Sequence, residues 1–214
     1  MRRSLLVSSA VALAAVLSGG AMSSSTAHAA DVIAEWASVK APPPPQLKPV
    51  TVDPKTTALL MLDFIPDGYC GDRPRCVATM PAMKQLLAAA RAGGATVIYS
   101  DAGKFGPSDI MKDIAPAGNE PIVKSHADKF LDTDLEKILK DKGIQTVIVT
   151  GTAANGAVLY TGSSAALRGF KVIVPVDGLS APDLYAEQLT VWQLAHGPGF
   201  AAQVTVTKSD MIKF

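Results

Sequence analysis

A chain of 214 residues with 20 basic and 19 acidic side chains carries a formal net charge of +1, which gives no electrostatic ground for binding nucleic acid or an anionic membrane surface. The length suits one domain with one full-sized core. Two cysteines and three histidines, with no CxxC or HExxH spacing and no histidine cluster, argue against a zinc or iron centre of the usual kind. No metal and no other cofactor is expected.

The first 29 residues read as a secretory signal peptide. Arg2 and Arg3 supply a positive start, and residues 5–17 an apolar stretch too short and too rich in small residues to span a bilayer comfortably. Ala27-His28-Ala29 follows the small-x-small cleavage pattern. Cleavage after Ala29 removes two arginines and no acid, leaving 185 residues (214 less 29) with 18 basic and 19 acidic side chains. The product would be periplasmic or secreted, with no membrane attachment; an uncleaved anchor is the alternative. Residues 30–56 form a Pro-rich arm, in which Pro42 to Pro45 favour extended chain.

From residue 57 to the end, strand-like and helix-like blocks alternate. Residues 57–63 (TALLMLD) are a continuous apolar run, as a strand buried on both faces should be. Pro81 and Gly93-Gly94 bracket a helix, and strands follow at 95–100 and 122–124. A helix is expected over 133–142, a strand over 145–150, a helix over 155–168 and a strand over 170–176. A helix over 182–196 and a strand over 203–207 complete the series. Such alternation predicts an α/β protein, a three-layer α/β/α sandwich around a mainly parallel sheet.

Cys70 and Cys76 lie in CGDRPRC. Two nearby thiols in an oxidising compartment tend to pair, and Gly71 and Pro74 help the short loop turn. The competing reading is a reactive thiol at Cys70.

In a parallel sheet, functional groups belong at the carboxyl ends of strands. Asp63 closes an apolar strand, where poor solvation raises a carboxyl pKa unless the group is paired. Lys124 closes another (PIVK), and the turn 151–157 (GTAANGA) ends a third and opens a helix. A phosphate loop would need Lys-Ser/Thr after that turn, where Ala157 and Val158 stand. There is no GxSxG nucleophile elbow either.

These residues resemble the isochorismatase-like hydrolases, also called the cysteine hydrolase superfamily. The likeness runs from about residue 57 to the C-terminus. It rests on LLMLD around Asp63 and on IVKSHADKFLDTDLEKIL at 122–139, with Lys124, Phe130, Thr133, Leu135 and Leu139 in register. It rests also on GIQTVIVTGTAANGAVLYTGSSAALRGFKVIVPVDGLSA at 143–181, with Gly151, Val158, Thr161, Gly169 and Asp177 in place. The resemblance implies a Rossmann-like fold with six strands, a small-molecule substrate and a homo-oligomer. It implies an Asp-Lys-Cys triad that maps to Asp63, Lys124 and position 157, and a cis peptide at Thr152–Ala153 whose N–H groups form an oxyanion hole. Phe64, Ser125, Asn155 and Gly156 are pocket candidates, although Asn155 also suits a helix cap and His126 a surface loop.

Position 157, however, is alanine, and the family's preceding threonine is Ala154. The Asp-x-His metal motif of nicotinamidase-like members is missing, because DAGKFG follows ATVIYS. One reading is an exported hydrolase that needs no thiol, with Asp63 as acid or base beside Lys124, as true isochorismatases protonate a vinyl ether through an aspartate. The other is a binding protein that keeps the pocket and has lost turnover.

Overall fold

Residues 57–62, TALLML, form a strand in which every side chain is buried. The structure, a computed structural model, describes residues 31–103 and 105–214; the expected signal peptide lies outside the described residues. The chain divides into two units, Met1–Pro42 and Pro43–Phe214. In the first, residues 31–42 are a short exposed segment. The Asp31 carboxylate caps it by accepting from the N–H groups of Ile33 and Ala34, each at 2.9 Å.

The second unit is the α/β domain, and it begins before Thr57. In chain order its strands are β1 (Val50–Thr51), β2 (Thr57–Leu62), β3 (Thr96–Asp101), β4 (Ile122–Lys124), β5 (Thr146–Thr152), β6 (Lys171–Pro175), β7 (Leu179–Ser180), β8 (Val204–Thr207) and β9 (Ile212–Lys213). Its helices are α1 (Pro74–Val77), α2 (Met80–Gly93), α3 (Leu135–Asp141), α4 (Leu159–Leu167) and α5 (Leu184–His196). The last part of the expected arm belongs to this unit: β1 pairs with β9, and Val52 is buried.

The main sheet runs β4-β3-β2-β5-β6-β8, parallel throughout, with the two-residue β7 beside the end of β5. This is the expected six-stranded parallel sheet. From β2 the chain winds outward through β3 to β4, and from β5 the other way through β6 to β8. The winding reverses between β2 and β5, and in open α/β sheets the crevice at such a switch point is where ligands bind.

Strand alternation divides the core. Leu60, Leu62, Ile98, Val123, Val147 and Val149 face one side, where Leu135 and Leu139 of α3, Ala165 of α4 and Leu194 of α5 meet them. Leu59, Met61, Val97, Tyr99 and Ile148 face the other, against Met83, Leu86, Leu87 and Ala90 of α2. Each such aliphatic side chain contributes roughly 1.5–3 kcal/mol on burial. Cys70 and Cys76 form a disulfide, both sulfurs buried, which closes the loop between β2 and α2.

At the switch point β2 and β5 come very close. Gly151 has φ 144°, and a Cβ there would lie 2.3 Å from the Leu62 carbonyl oxygen. That oxygen belongs to a central strand and has no room to move. Gly151→Ala is therefore expected to cost at least about 3 kcal/mol in urea unfolding. Gly118→Ala, at φ 57° with open space around it, should cost only about 1–2 kcal/mol, the backbone term alone.

Candidate active site

The residue after β2 sets the site. Asp63 has φ 53°, a left-handed conformation in which a short polar side chain is tolerated. Its N–H donates to the Ser100 carbonyl at 3.2 Å, and its own carbonyl accepts from the Ile65 N–H at 2.8 Å. The turn tucks the Asp63 carboxylate under the surface, with the residue only 4% exposed. Oδ1 accepts the Ser100 hydroxyl and Oδ2 the Lys129 ammonium, each at 2.8 Å.

Lys129 is fully buried. Its three ammonium protons go to Asp63 Oδ2, to the Ser125 carbonyl at 3.0 Å and to the His126 carbonyl. The loop that carries it is fixed at several points. The Lys129 N–H donates to Thr161 Oγ1 of α4 at 3.1 Å, Ser164 of α4 holds the Asp128 carboxylate, and the Thr133 hydroxyl donates to the Lys129 carbonyl. Burial pushes the Asp63 carboxyl above the ordinary aspartate range. The Lys129 ammonium and the Ser100 hydroxyl pull it back in part, and the nearby Asp101 charge adds to the rise.

The structure does not bring Lys124 to Asp63. Lys124 stands in register opposite Asp101 on the neighbouring strand. Residues 99, 101, 122 and 124 share the sheet face that packs on α2, whereas Ser100, between Tyr99 and Asp101, points to the other face with Lys129. The Lys124 ammonium is 57% exposed and lies 3.6 Å from Asp101 Oδ2. It donates to the Phe105 carbonyl at 2.9 Å.

The turn after β5 carries the expected cis peptide at Thr152–Ala153. The expected helix over 155–168 opens differently: Ala154–Val158 is one wide π-turn, and α4 starts only at Leu159. Three small residues, Ala154, Gly156 and Ala157, line that turn, and π-turns recur at functional sites. Ala157 is buried at 4% exposure. Asn155 is exposed and is not the helix cap, because Ala153 holds that position without a side-chain bond. Thr152 Oγ1 reaches the Ser180 carbonyl at 3.3 Å, while Ala153 and Gly156 are half-buried. Phe64 lies in the core on the α2 side rather than in an open pocket. The Ser125 hydroxyl serves its own loop, donating to the Asp128 carbonyl at 2.9 Å, and His126 is exposed.

Two buried side-chain oxygens accept no hydrogen bond among the described residues, Asp101 Oδ2 and Ser180 Oγ. Both stand at carboxyl ends of strands, where a ligand would complete their bonding. No three His, Cys, Asp or Glu side chains among the described residues are grouped to hold a metal ion. Sequence reasoning missed Lys129, Ser100 and Asp101. Period-2 alternation along ATVIYSD could have placed Ser100 and Asp101 on opposite faces. Nothing in the loop pattern marks Lys129 as buried beyond its adjacency to Phe130.

Removing one member of a buried pair leaves the other charge uncompensated. Lys129→Met is therefore expected to cost about 3–5 kcal/mol in urea unfolding, and Lys137→Met, which breaks a pair with Asp141 exposed on both sides, less than about 1 kcal/mol.

No curated protein matches the chain. Among solved structures, an isochorismatase-like hydrolase from Alkaliphilus metalliredigens aligns at TM-score 0.64 and 22% identity, over 72% of this chain and 95% of that one. A cysteine hydrolase from Pseudomonas syringae pv. phaseolicola aligns at TM-score 0.65 and 23% identity, over 78% and 94%. An N-carbamoylsarcosine amidase from Thermoplasma acidophilum aligns at TM-score 0.61 and 23% identity, over 72% and 97%. Identities this low carry the fold and nothing finer. A sequence profile of the isochorismatase domain matches residues 57–209, from the start of β2 to beyond β8. That stretch holds Asp63, Lys129 and the turn at 151–157, and on it the chain belongs to the isochorismatase family.

Proposed function

We propose that the protein is an exported hydrolase of a small molecule that works without a thiol, using Asp63 as its acid–base group and Lys129, in place of Lys124, as the neighbouring cation. The observation that carries this is the burial of Asp63 between Ser100 and Lys129 at the β2–β5 switch point. Burial raises the Asp63 pKa, so the carboxyl holds a proton at higher pH than an ordinary aspartate does. Asp63 passes that proton to the substrate atom that departs or is protonated. The Lys129 ammonium then stabilises the carboxylate left behind, and that carboxylate takes a proton back from the attacking water. Alanine at 157 fits this scheme, since no thiol takes part. Export rests on the signal-like residues 1–29, and a homo-oligomer on the family resemblance.

A second reading, a silent small-molecule binder, draws support from one feature of the site. Both Asp63 oxygens and all three Lys129 protons are already engaged within the protein. A substrate would have to displace part of that network.

Turnover of a panel of amides, ureides and isochorismate separates the two. The thiol-free hydrolase predicts turnover by the natural protein that falls about 10²–10⁴-fold in Asp63→Asn, the range for loss of a general acid. The active form is the protonated acid, so kcat/KM should decline as pH rises through the raised Asp63 value and lose that dependence in Asp63→Asn. No turnover by the natural protein, with activity appearing in Ala157→Cys, would instead establish the silent binder.

A further inference from the structure

Asp101 bonds to none of the groups assigned to the acid–base chemistry, yet its bonding is the least complete in the site. The residue is fully buried. Oδ1 accepts the Gly103 N–H at 2.6 Å, but Oδ2 accepts no hydrogen bond from any described residue. Among the described residues the cation paired with it is the Lys124 ammonium, 3.6 Å away and beyond hydrogen-bonding distance. Of the three protons on that ammonium, one goes to the Phe105 carbonyl, and among the described residues no acceptor takes the others. An acceptor without a donor and a cation with protons to spare thus stand side by side at adjoining strand ends. Asp101 lies one strand out from Asp63 and Lys124 two.

We infer that Asp101 and Lys124 form a recognition subsite for a ligand group that carries an N–H beside a C=O, such as a carboxamide, a ureido group or a lactam. The N–H donates to Asp101 Oδ2, and the carbonyl oxygen accepts from the Lys124 ammonium. The exposed, flexible lysine covers the buried carboxylate in the absence of ligand and swings aside to admit one. An ester of the same shape lacks the donor. A carboxylate lacks it too and meets the charge of Asp101. The group recognised here is a handle rather than the bond that breaks, because Ser100 turns Asp63 and Lys129 toward the opposite face of the sheet. This inference rests on reading the β2–β5 end as a small-molecule site.

The test is ligand-observed NMR titration of the protein with N-methylurea, methyl acetate and acetate, alongside Asp101→Asn, Lys124→Met and Asp63→Asn. Asparagine keeps the Gly103 bond through its amide oxygen and puts a donor where Oδ2 was. N-methylurea should bind more tightly than either other probe, and at least about tenfold more weakly to Asp101→Asn. Lys124→Met, which changes the exposed partner, should weaken it as well. It carries the test should Asp101→Asn unfold. Equal binding of N-methylurea and methyl acetate, no binding of N-methylurea to the natural protein, or affinity unchanged in both subsite variants would overturn the inference. Turnover lost in Asp63→Asn with N-methylurea binding unchanged in the subsite variants would defeat this subsite and leave the hydrolase reading standing. Subsite-dependent binding without turnover would do the reverse.

Discussion

A carboxylate and an ammonium, both under the surface, hold the working end of this protein together. Asp63 and Lys129 come from segments 66 residues apart and meet at 2.8 Å. Taking two such ions out of water costs several kcal/mol each, and attraction offsets that only where the remaining protons and lone pairs are also bonded. Here they are. Ser100 serves the second Asp63 oxygen, and two loop carbonyls serve the rest of Lys129. The loop can offer those carbonyls because α4 pins it through Thr161 and Ser164. The pair therefore ties β2, β3, the loop after β4 and α4 into one arrangement at the switch point.

The parallel sheet decides which groups can meet. Along β3 the side chains of Ser100 and Asp101 leave on opposite faces, so two polar clusters form at adjoining strand ends. One holds Asp63, Ser100 and Lys129. The other holds Asp101 and Lys124 on the α2 side. A one-residue step along a strand thus separates the proposed acid–base pair from the proposed recognition pair. Close approach of β5 to β2, which demands glycine at 151, sets Gly151 in register with Leu62, so the small-residue π-turn follows at the same end of the sheet as Asp63.

Much of the fold was legible because its signals are local and strong. TALLML reads as a strand buried on both faces, and helices bounded by proline and glycine appear close to where those residues place them. The parallel topology followed from alternation alone. Asp63 was legible because a charge that closes an apolar run must be paired or put to chemical use. Lys124 misled for a related reason. It also closes an apolar strand, but only register and face decide whether it turns toward Asp63, and register is set by neighbours that are distant in sequence. Lys129 was hidden because its burial depends on a loop conformation fixed by α4. Asn155 has the chemistry of a cap, but the turn widened into a π-turn and the cap position passed to Ala153.

Acid–base chemistry at this site requires Asp63 to take up and release a proton, passing between the carboxylate of the ion pair and the neutral acid, with a pKa raised by burial and opposed by Lys129. Carbon-detected NMR titration of the Asp63 carboxyl, in the natural protein and in Lys129→Met, reads that pKa and its cause together. The expected midpoint lies above the ordinary aspartate range in the natural protein and higher still without the lysine. A midpoint at or below the ordinary range, or one that does not move when Lys129 is removed, would contradict the acid–base role.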